Sequence, residues 1–93
     1  MRVISNKTLK EFSAIHPQAD IALQAWRQII ESREFGGFSD LKQVFNSVDR
    51  VDDFYVFNIG GNKYRLIAAI HFDKSRLFIR HVFTHTKYNH WRP

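Results

Sequence analysis

The spacing of hydrophobic residues in the first third of the chain predicts two amphipathic helices. In the first, over residues 5–16, apolar side chains recur at helical spacing at Leu9, Phe12 and Ile15. The second follows Pro17, which suits a first helical turn because its missing N–H would have no helical partner there. Its apolar stripe is expected to comprise Ile21, Ala22, Ala25, Trp26, Ile29 and Ile30. We expect it to end near Gly36 and Gly37, whose freedom at positive φ suits a C-cap.

After these glycines the hydrophobic period changes and predicts an antiparallel meander. Residues 38–46 fit either a loop or a short helical turn with Asp40 as its cap. Runs rich in aromatic and β-branched residues then predict strands over residues 54–59, 63–72 and 76–83, after a short one at 2–4. Turns are expected at Gly60-Gly61-Asn62 and at Asp73-Lys74-Ser75. The sequence therefore predicts one α+β domain over residues 1–93, with two N-terminal helices packed on a small antiparallel sheet.

Strand alternation predicts which side chains face away from the helices. Core positions should be Tyr64, Leu66, Ala68, Ile70 and Phe72, and the opposite positions Lys63, Arg65, Ile67, Ala69 and His71. In the next strand, Leu77, Ile79, His81 and Phe83 alternate with Arg76, Phe78, Arg80 and Val82. A two-residue turn at Lys74-Ser75 would pair Asp73 with Arg76. In that register Arg80 lies on the same side of the sheet as Lys63 and Arg65.

Charge is distributed unevenly along the chain. The net charge is +5, but residues 1–57 sum to −1 and residues 58–93 to +6, and four of the five histidines lie in this second part. A basic end that also carries near-neutral proton carriers makes nucleic acid the natural class of partner. Two alternatives stay open: a basic face that only aids solubility, or strand arginines held in ion pairs.

Side chains suited to acid–base chemistry follow the last predicted strand. Residues 84–91 read THTKYNHW and bring together His85, Lys87, Tyr88 and His90. Metal-free RNA cleavage needs a base for the 2′-hydroxyl proton, cations for the charged phosphorane and an acid for the leaving 5′-oxygen. These residues and the strand arginines supply all three. A histidine-rich solvated tail is the alternative.

Other classes of site and location find little support. His85 and His90 are five residues apart, no carboxylate is near them, and the chain has no cysteine, so no metal site or cofactor is expected. The absence of cysteine fits a reducing cytosol. The sequence has no apolar run long enough to span a bilayer and no secretory signal, so we expect a soluble, cytoplasmic protein without membrane contact.

Three stretches of the chain resemble the HigB branch of the RelE superfamily of toxins. They are FNIGGNKYRLI at residues 57–67, FIRHV at 78–82, and TH followed by KYN at 84–85 and 87–89. LKEF at residues 9–12, His16-Pro17 and Trp26 are also similar to this family. The resemblance implies a RelE-like fold and an mRNA endoribonuclease that acts on the ribosome, inhibits translation and pairs with a helix-turn-helix, HigA-like antitoxin.

The resemblance also implies roles for individual residues. Arg65 and Arg80 would bind the scissile phosphate, His85 would be the main proton carrier, and Tyr88 a second carrier or a base-stacking platform. Further RNA contacts are expected from Lys63, Lys87, Arg76 and His90. The sequence departs from the family at Lys87, where an acid is common, and at Asn89, where aspartate is common. A non-catalytic RNA- or ribosome-binding module therefore remains the alternative, and a scaffold for a protein partner a third reading.

Overall fold

Five strands form a single sheet in the computed structural model, which describes residues 1–93. The strands are β1 (Arg2–Ile4), β2 (Asp49–Val51), β3 (Phe54–Ile59), β4 (Tyr64–His71) and β5 (Arg76–Thr84), in the spatial order β1-β5-β4-β3-β2. Neighbouring strands are antiparallel except β1 and β5, which are parallel. The α+β prediction is confirmed. The sheet is mixed rather than wholly antiparallel, because the first strand joins its edge beside the last, and β2 adds a strand that the pattern did not predict.

Four helices complete the fold: α1 (Asn6–Ile15), α2 (Asp20–Glu31), α3 (Phe38–Val44) and α4 (His85–Tyr88). A 3₁₀ turn over Pro17–Ala19 joins α1 to α2. Both long helices pack against the sheet face that carries Phe57, Leu66 and Leu77. None of the helices is long and apolar enough to cross a membrane.

The prediction of a glycine C-cap for the second helix is wrong. The last turn of α2 ends at Glu31, with Ser32 as its C-cap. Gly37 has an extended φ of 177° and is the N-cap of α3. Of the two predicted alternatives for residues 38–46, the short helix is therefore the observed one, over residues 38–44. Asp40 is not the cap residue; its carboxylate accepts a hydrogen bond of 2.8 Å from the backbone N–H of Gly36, just before the helix begins.

The buried stripe of α2 also differs from the predicted one. Leu23, Trp26 and Ile30 are buried, whereas Ile21 is 84% exposed and Ile29 is 39% exposed. The helix carries apolar residues around much of its circumference, so periodicity alone does not determine which side faces the sheet. The T-shaped contact of Trp26 with Phe57, with ring centroids 5.3 Å apart, accompanies burial of this side of α2.

Truncation of the two α2 residues in this comparison should have very different effects. Leu23→Ala is expected to lower the free energy of unfolding by about 2–5 kcal/mol, because it leaves a cavity under a fully buried side chain. Ile21→Ala, at an exposed position, should stay within about 0.5 kcal/mol of the parent protein. Urea unfolding of both variants checks this, and equal losses would contradict the burial of α2 described above.

A β-bulge in β5 changes which side chains face outward. His71 lies opposite Arg76 and Ala68 opposite Ile79, but Ile67 lies opposite His81, so Arg80 is the extra residue. The predicted register is therefore wrong, because Asp73 lies in a 3₁₀ turn over Phe72–Lys74 instead of in the ladder. An extra residue reverses strand alternation beyond it.

The bulge decides the composition of the sheet face turned away from α1 and α2, here called the outer face. Val82 turns toward the core, and Arg80 and His81 are both exposed. The outer face of the two central strands thus comprises Arg65, Ile67, Ala69 and His71 of β4 and Phe78, Arg80, His81 and Phe83 of β5. The predicted common side of Arg65 and Arg80 is retained, through a different pairing.

The N-terminal ammonium group ties β1 to the end of α2. The Met1 nitrogen donates to the backbone oxygens of Ile30, at 3.3 Å, and Arg33, at 2.7 Å, and lies 3.4 Å from a carboxylate oxygen of Glu34. The Ser75 hydroxyl donates to the other oxygen of Glu34. One carboxylate thus joins the chain start to the turn before β5. The Ser75 hydrogen bond, followed by the charge of the ammonium group, lowers the pKa of Glu34 below its ordinary value.

This lowered pKa predicts an acid-dependent contribution to stability. Glu34 should stabilise the fold fully above the ordinary carboxyl pKa, and this stabilisation should disappear as the pH falls through the lowered value. Glu34→Gln should therefore melt at a lower temperature than the parent at neutral pH, and at nearly the same temperature once Glu34 is protonated. Thermal melts across an acid pH series check this. A melting difference that does not change with pH would contradict it.

Candidate active site

Residues 84–91 form a fixed segment at the end of β5, here called the C-terminal segment. The Thr84 hydroxyl caps α4 by accepting a 3.3 Å hydrogen bond from the Lys87 N–H. The His85 N–H donates to the Lys63 carbonyl at 3.0 Å, which joins α4 to the turn between β3 and β4. The backbone N–H of Trp91 donates to the Tyr88 carbonyl at 2.9 Å. These hydrogen bonds attach the backbone of the segment to the rest of the fold through Trp91, while the side chains of residues 85–87, 89 and 90 are exposed.

The C-terminal segment folds back beside the outer face. The ring centroid of Trp91 lies 5.8 Å from the ring centroid of Phe54, in an edge contact, and 6.4 Å from that of His81. Val56 and Ile67 are buried but lie outside the main core cluster, on the outer side of β3 and β4. The outer face thus has an apolar centre of its own, with Trp91 at its edge.

Arg65 and Tyr88 come together at this place, as the sequence predicted. The guanidinium carbon of Arg65 lies 5.7 Å from the centroid of the Tyr88 ring, within the range of a cation–π contact. One Arg65 nitrogen also donates to the carbonyls of Asn62 and Tyr64, both at 3.2 Å. These contacts fix the guanidinium at the start of β4 and leave its remaining N–H groups without a protein partner.

The other predicted phosphate ligand, Arg80, has different contacts. Its guanidinium carbon lies 5.7 Å from the centroid of Phe78, and it makes no contact with Tyr88 of the kind that Arg65 makes. Arg76 stands at the opposite end of β5 from α4, about 26 Å away at about 3.3 Å per strand residue. The structure therefore places Lys63, Arg65, His85, Lys87, Tyr88 and His90 at one end of the outer face, with Arg80 on that face and Arg76 at its far end.

The basic residues of the second part of the chain are not neutralised by acids. The three ion pairs of the protein are Met1–Glu34, Lys7–Glu11 and Arg27–Glu31, all within the first 34 residues. The alternative that the strand arginines serve internal ion pairs is therefore wrong. Unpaired guanidinium and ammonium groups on one surface are suited to binding phosphate.

Three aromatic residues near the site were not assigned a role by the sequence. His81 and Phe83 stack face to face, with centroids 5.1 Å apart and planes 15° apart, and Trp91 stacks on Tyr88 at 5.9 Å. His81 and Phe83 were not assigned because strict alternation put them with the core residues, whereas the bulge turns them to the outer face. The spacing of Leu77, Ile79 and Val82 is the signal that could have revealed it, because it changes from two to three residues.

The chemistry available here is that of imidazole, phenol and fixed cations. His85 and His90 are exposed and Tyr88 is half-buried, so all three side chains are accessible to a ligand. No group of three or more histidine and carboxylate side chains is assembled anywhere in the structure. Proton transfer and charge stabilisation at a phosphate are the reactions for which this surface has the groups.

Comparison with known proteins adds independent findings. Residues 19–91 match the model of the HigB_toxin family, described as the RelE-like toxic component of a toxin–antitoxin system. The chain is 37% identical over 92 residues to the mRNA interferase toxin HigB of Escherichia coli K12, covering 96% of this chain and 88% of the relative. An mRNA interferase HigB of Shigella flexneri matches with the same identity and coverage. Another, from Escherichia coli O6:H1, is 28% identical over 92 residues, covering 96% of this chain and 89% of the relative.

Proposed function

Because the chain belongs to the HigB family of RelE-like toxins, the toxic components of toxin–antitoxin systems, we propose that it is an mRNA endoribonuclease that inhibits translation. Relatives that align with almost its whole length carry the name mRNA interferase. The observation that carries the proposal is the contact of Arg65 with Tyr88. It sets a cation suited to phosphate directly beside a proton-carrying side chain of the C-terminal segment.

The proposed reaction is an internal attack within the RNA. The 2′-oxygen attacks the adjacent phosphorus, the bond from phosphorus to the 5′-oxygen breaks, and a 2′,3′-cyclic phosphate and a 5′-hydroxyl remain. One proton leaves the 2′-hydroxyl and one is delivered to the 5′-oxygen. His85 is the favoured carrier for one of these transfers, and Tyr88 is the candidate for the other.

Positive side chains would stabilise the charge that develops on the phosphorane oxygens. Arg65, at the start of β4, has N–H groups without a hydrogen-bond partner, and Arg80 is exposed on the same sheet face. Lys63 and Lys87 are exposed on either side of the hydrogen bond that joins His85 to the turn before β4, which suits them to neighbouring phosphates. His90 and Arg76 would extend the contact with RNA, and Arg76 would reach only a distant part of it.

The partners we propose follow from the same surface. The antitoxin would be a helix-turn-helix, HigA-like protein that contacts the basic outer face with acidic residues, so it would both neutralise the charge and block the substrate. The ribosome would present the message, since the protein offers cations and stacking surfaces but no large enclosed RNA channel. Action on ribosomes places the protein in the cytoplasm.

The proposal is tested by supplying the purified protein to a reconstituted translation reaction with a defined message. Cut sites are mapped by primer extension, and the ends are identified by whether a 5′-hydroxyl kinase and a 2′,3′-cyclic phosphatase act on them. We expect cuts in translated messages that carry both termini. Adding the proposed antitoxin should prevent them, and raising the salt should weaken that inhibition.

Other outcomes would contradict this function. Ribosome binding without any cleavage would support a non-catalytic ribosome-binding module instead. Cleavage that leaves a 5′-phosphate would exclude attack by the 2′-oxygen. Loss of all salt-sensitive attachment to ribosomes and RNA would favour a scaffold for a protein partner.

A further inference from the structure

A shallow cleft lies beside the proposed catalytic groups, and one of its lining residues, Phe83, lies opposite Arg65 in the pairing of β4 with β5. It has a volume of about 380 Å³ and is lined by Phe83, Lys87, His90 and Trp91. The cleft is of the size that takes small ligands. Two of its walls are aromatic, and the other two are the ammonium group of Lys87 and the imidazole of His90.

The aromatic walls of this cleft are held in place by the rest of the structure. Phe83 is fixed in β5 and stacks on His81, and Trp91 is held between Phe54 and Tyr88. The Lys87 carbonyl accepts a 3.1 Å hydrogen bond from the backbone N–H of His90, so the ammonium and imidazole side chains come from one continuous backbone turn. Rigid aromatic faces lose little side-chain entropy when a ligand stacks on them.

The chemistry of the lining indicates what the cleft holds. A flat aromatic ligand stacks on Trp91 or Phe83, and an attached phosphate lies within reach of Lys87 and His90; a nucleotide combines these two groups. The lining has no carboxylate or amide side chain that would distinguish one base edge from another. The site therefore suits any base, with the preference set by stacking strength.

We propose that this cleft is a nucleobase-binding subsite, in which Trp91 and Phe83 stack a base of the RNA next to the scissile phosphate. The inference rests on the proposed function, since it assigns a neighbouring subsite to the same substrate. The contact of Trp91 with Tyr88 makes the two sites adjacent, so a phosphate held near Tyr88 carries its next base to Trp91. Binding of the base would thus position the nucleotide whose 2′-hydroxyl reacts.

Trp91 itself supplies the probe for this subsite. The protein has two tryptophans, and Trp26 is only 3% exposed, so a ligand that quenches tryptophan emission by stacking reports on Trp91. The ligand is a 2′-deoxy hexanucleotide, which lacks the attacking hydroxyl and is not cut. An abasic hexanucleotide with the same phosphates is the matched control. Affinity is measured in parallel by anisotropy of a labelled strand.

We expect the base-containing strand to quench emission in a saturable way and to bind about 5- to 150-fold more tightly than the abasic strand, the range for one stacked base. Trp91→Phe should keep most of this advantage while losing the quenching. Trp91→Ala and Phe83→Leu should each reduce the advantage, and circular dichroism and thermal melts confirm that these variants fold.

Equal binding of the two strands, with unchanged Trp91 emission, would overturn the subsite. That result would leave the proposed function intact, because cleavage of translated messages is measured separately and needs only the phosphate and proton-transfer groups. Binding of the base-containing strand without quenching, and with the same affinity in Trp91→Ala, would place the base elsewhere on the outer face and also overturn the inference.

Discussion

Replacing Arg80 by alanine is expected to lower the rate of mRNA cleavage by about 10²–10³-fold, the usual cost of removing one group that stabilises transition-state charge. Arg80 is exposed and makes no ion pair, and its guanidinium lies over the ring of Phe78. The fold therefore does not depend on its charge. The melting temperature should therefore change little. The measurement is single-turnover cleavage of a message on programmed ribosomes, with protein in excess.

Arg33→Ala is the matched control for this variant. Arg33 is an exposed arginine outside the outer face, and its loss changes the net charge of the protein equally. We expect it to cleave like the parent. If both variants lost activity to the same extent, general attraction to RNA would explain the effect, and Arg80 would have no special role at the phosphate.

The second large effect is expected at His85. His85→Gly should reduce cleavage by about 10²–10⁴-fold, because it removes the imidazole that we propose as a proton carrier. The α4 backbone should remain attached, since its bond to the Lys63 carbonyl comes from the main-chain N–H of residue 85. Binding to ribosomes, measured by sedimentation, should accordingly persist. The activity loss is measured in the same single-turnover assay.

Chemical rescue separates a proton carrier from a merely structural histidine. Free imidazole should restore part of the activity of His85→Gly and should not restore that of Arg80→Ala. Full cleavage by His85→Gly without imidazole would transfer the role to Tyr88 or to another histidine of the outer face. Tyr88→Phe, which keeps the ring beside Arg65 and removes the hydroxyl, then tests the first of these alternatives.

The parts of the fold that the sequence predicts well are those with one buried and one open side. Alternation in β4 gave the correct faces, because Tyr64, Leu66 and Ala68 are buried against the helices while Arg65 and His71 are not. Helix α2 shows the opposite case. It has apolar residues on several sides, and only contact with Phe57 and its neighbours makes Leu23 a core residue and Ile21 a surface one.

The bulge and α4 depend on interactions that no local pattern contains. The strand beyond Ile79 can alternate in two ways, and the choice follows from pairing with β4. A helix of four residues that contains threonine is weak by propensity, and α4 is stabilised by its Thr84 cap and its bond to Lys63. The basic character of this end, and the closeness of Arg65 to Tyr88, could thus be predicted, but the packing of Trp91 against the sheet could not.

The position of Trp91 links catalysis to the integrity of the sheet. The seven residues after β5 include the proposed proton carriers, and one of them, Trp91, packs on Phe54 and His81 beside a second, smaller apolar layer around Val56 and Ile67. A chain that ended before these residues would expose apolar side chains of the sheet and would also lack the proposed catalytic residues. A toxin gene with a late stop codon would then encode a product that cleaves no mRNA but is prone to self-association. The cost to the host would be the removal of aggregated protein instead of the loss of its messages.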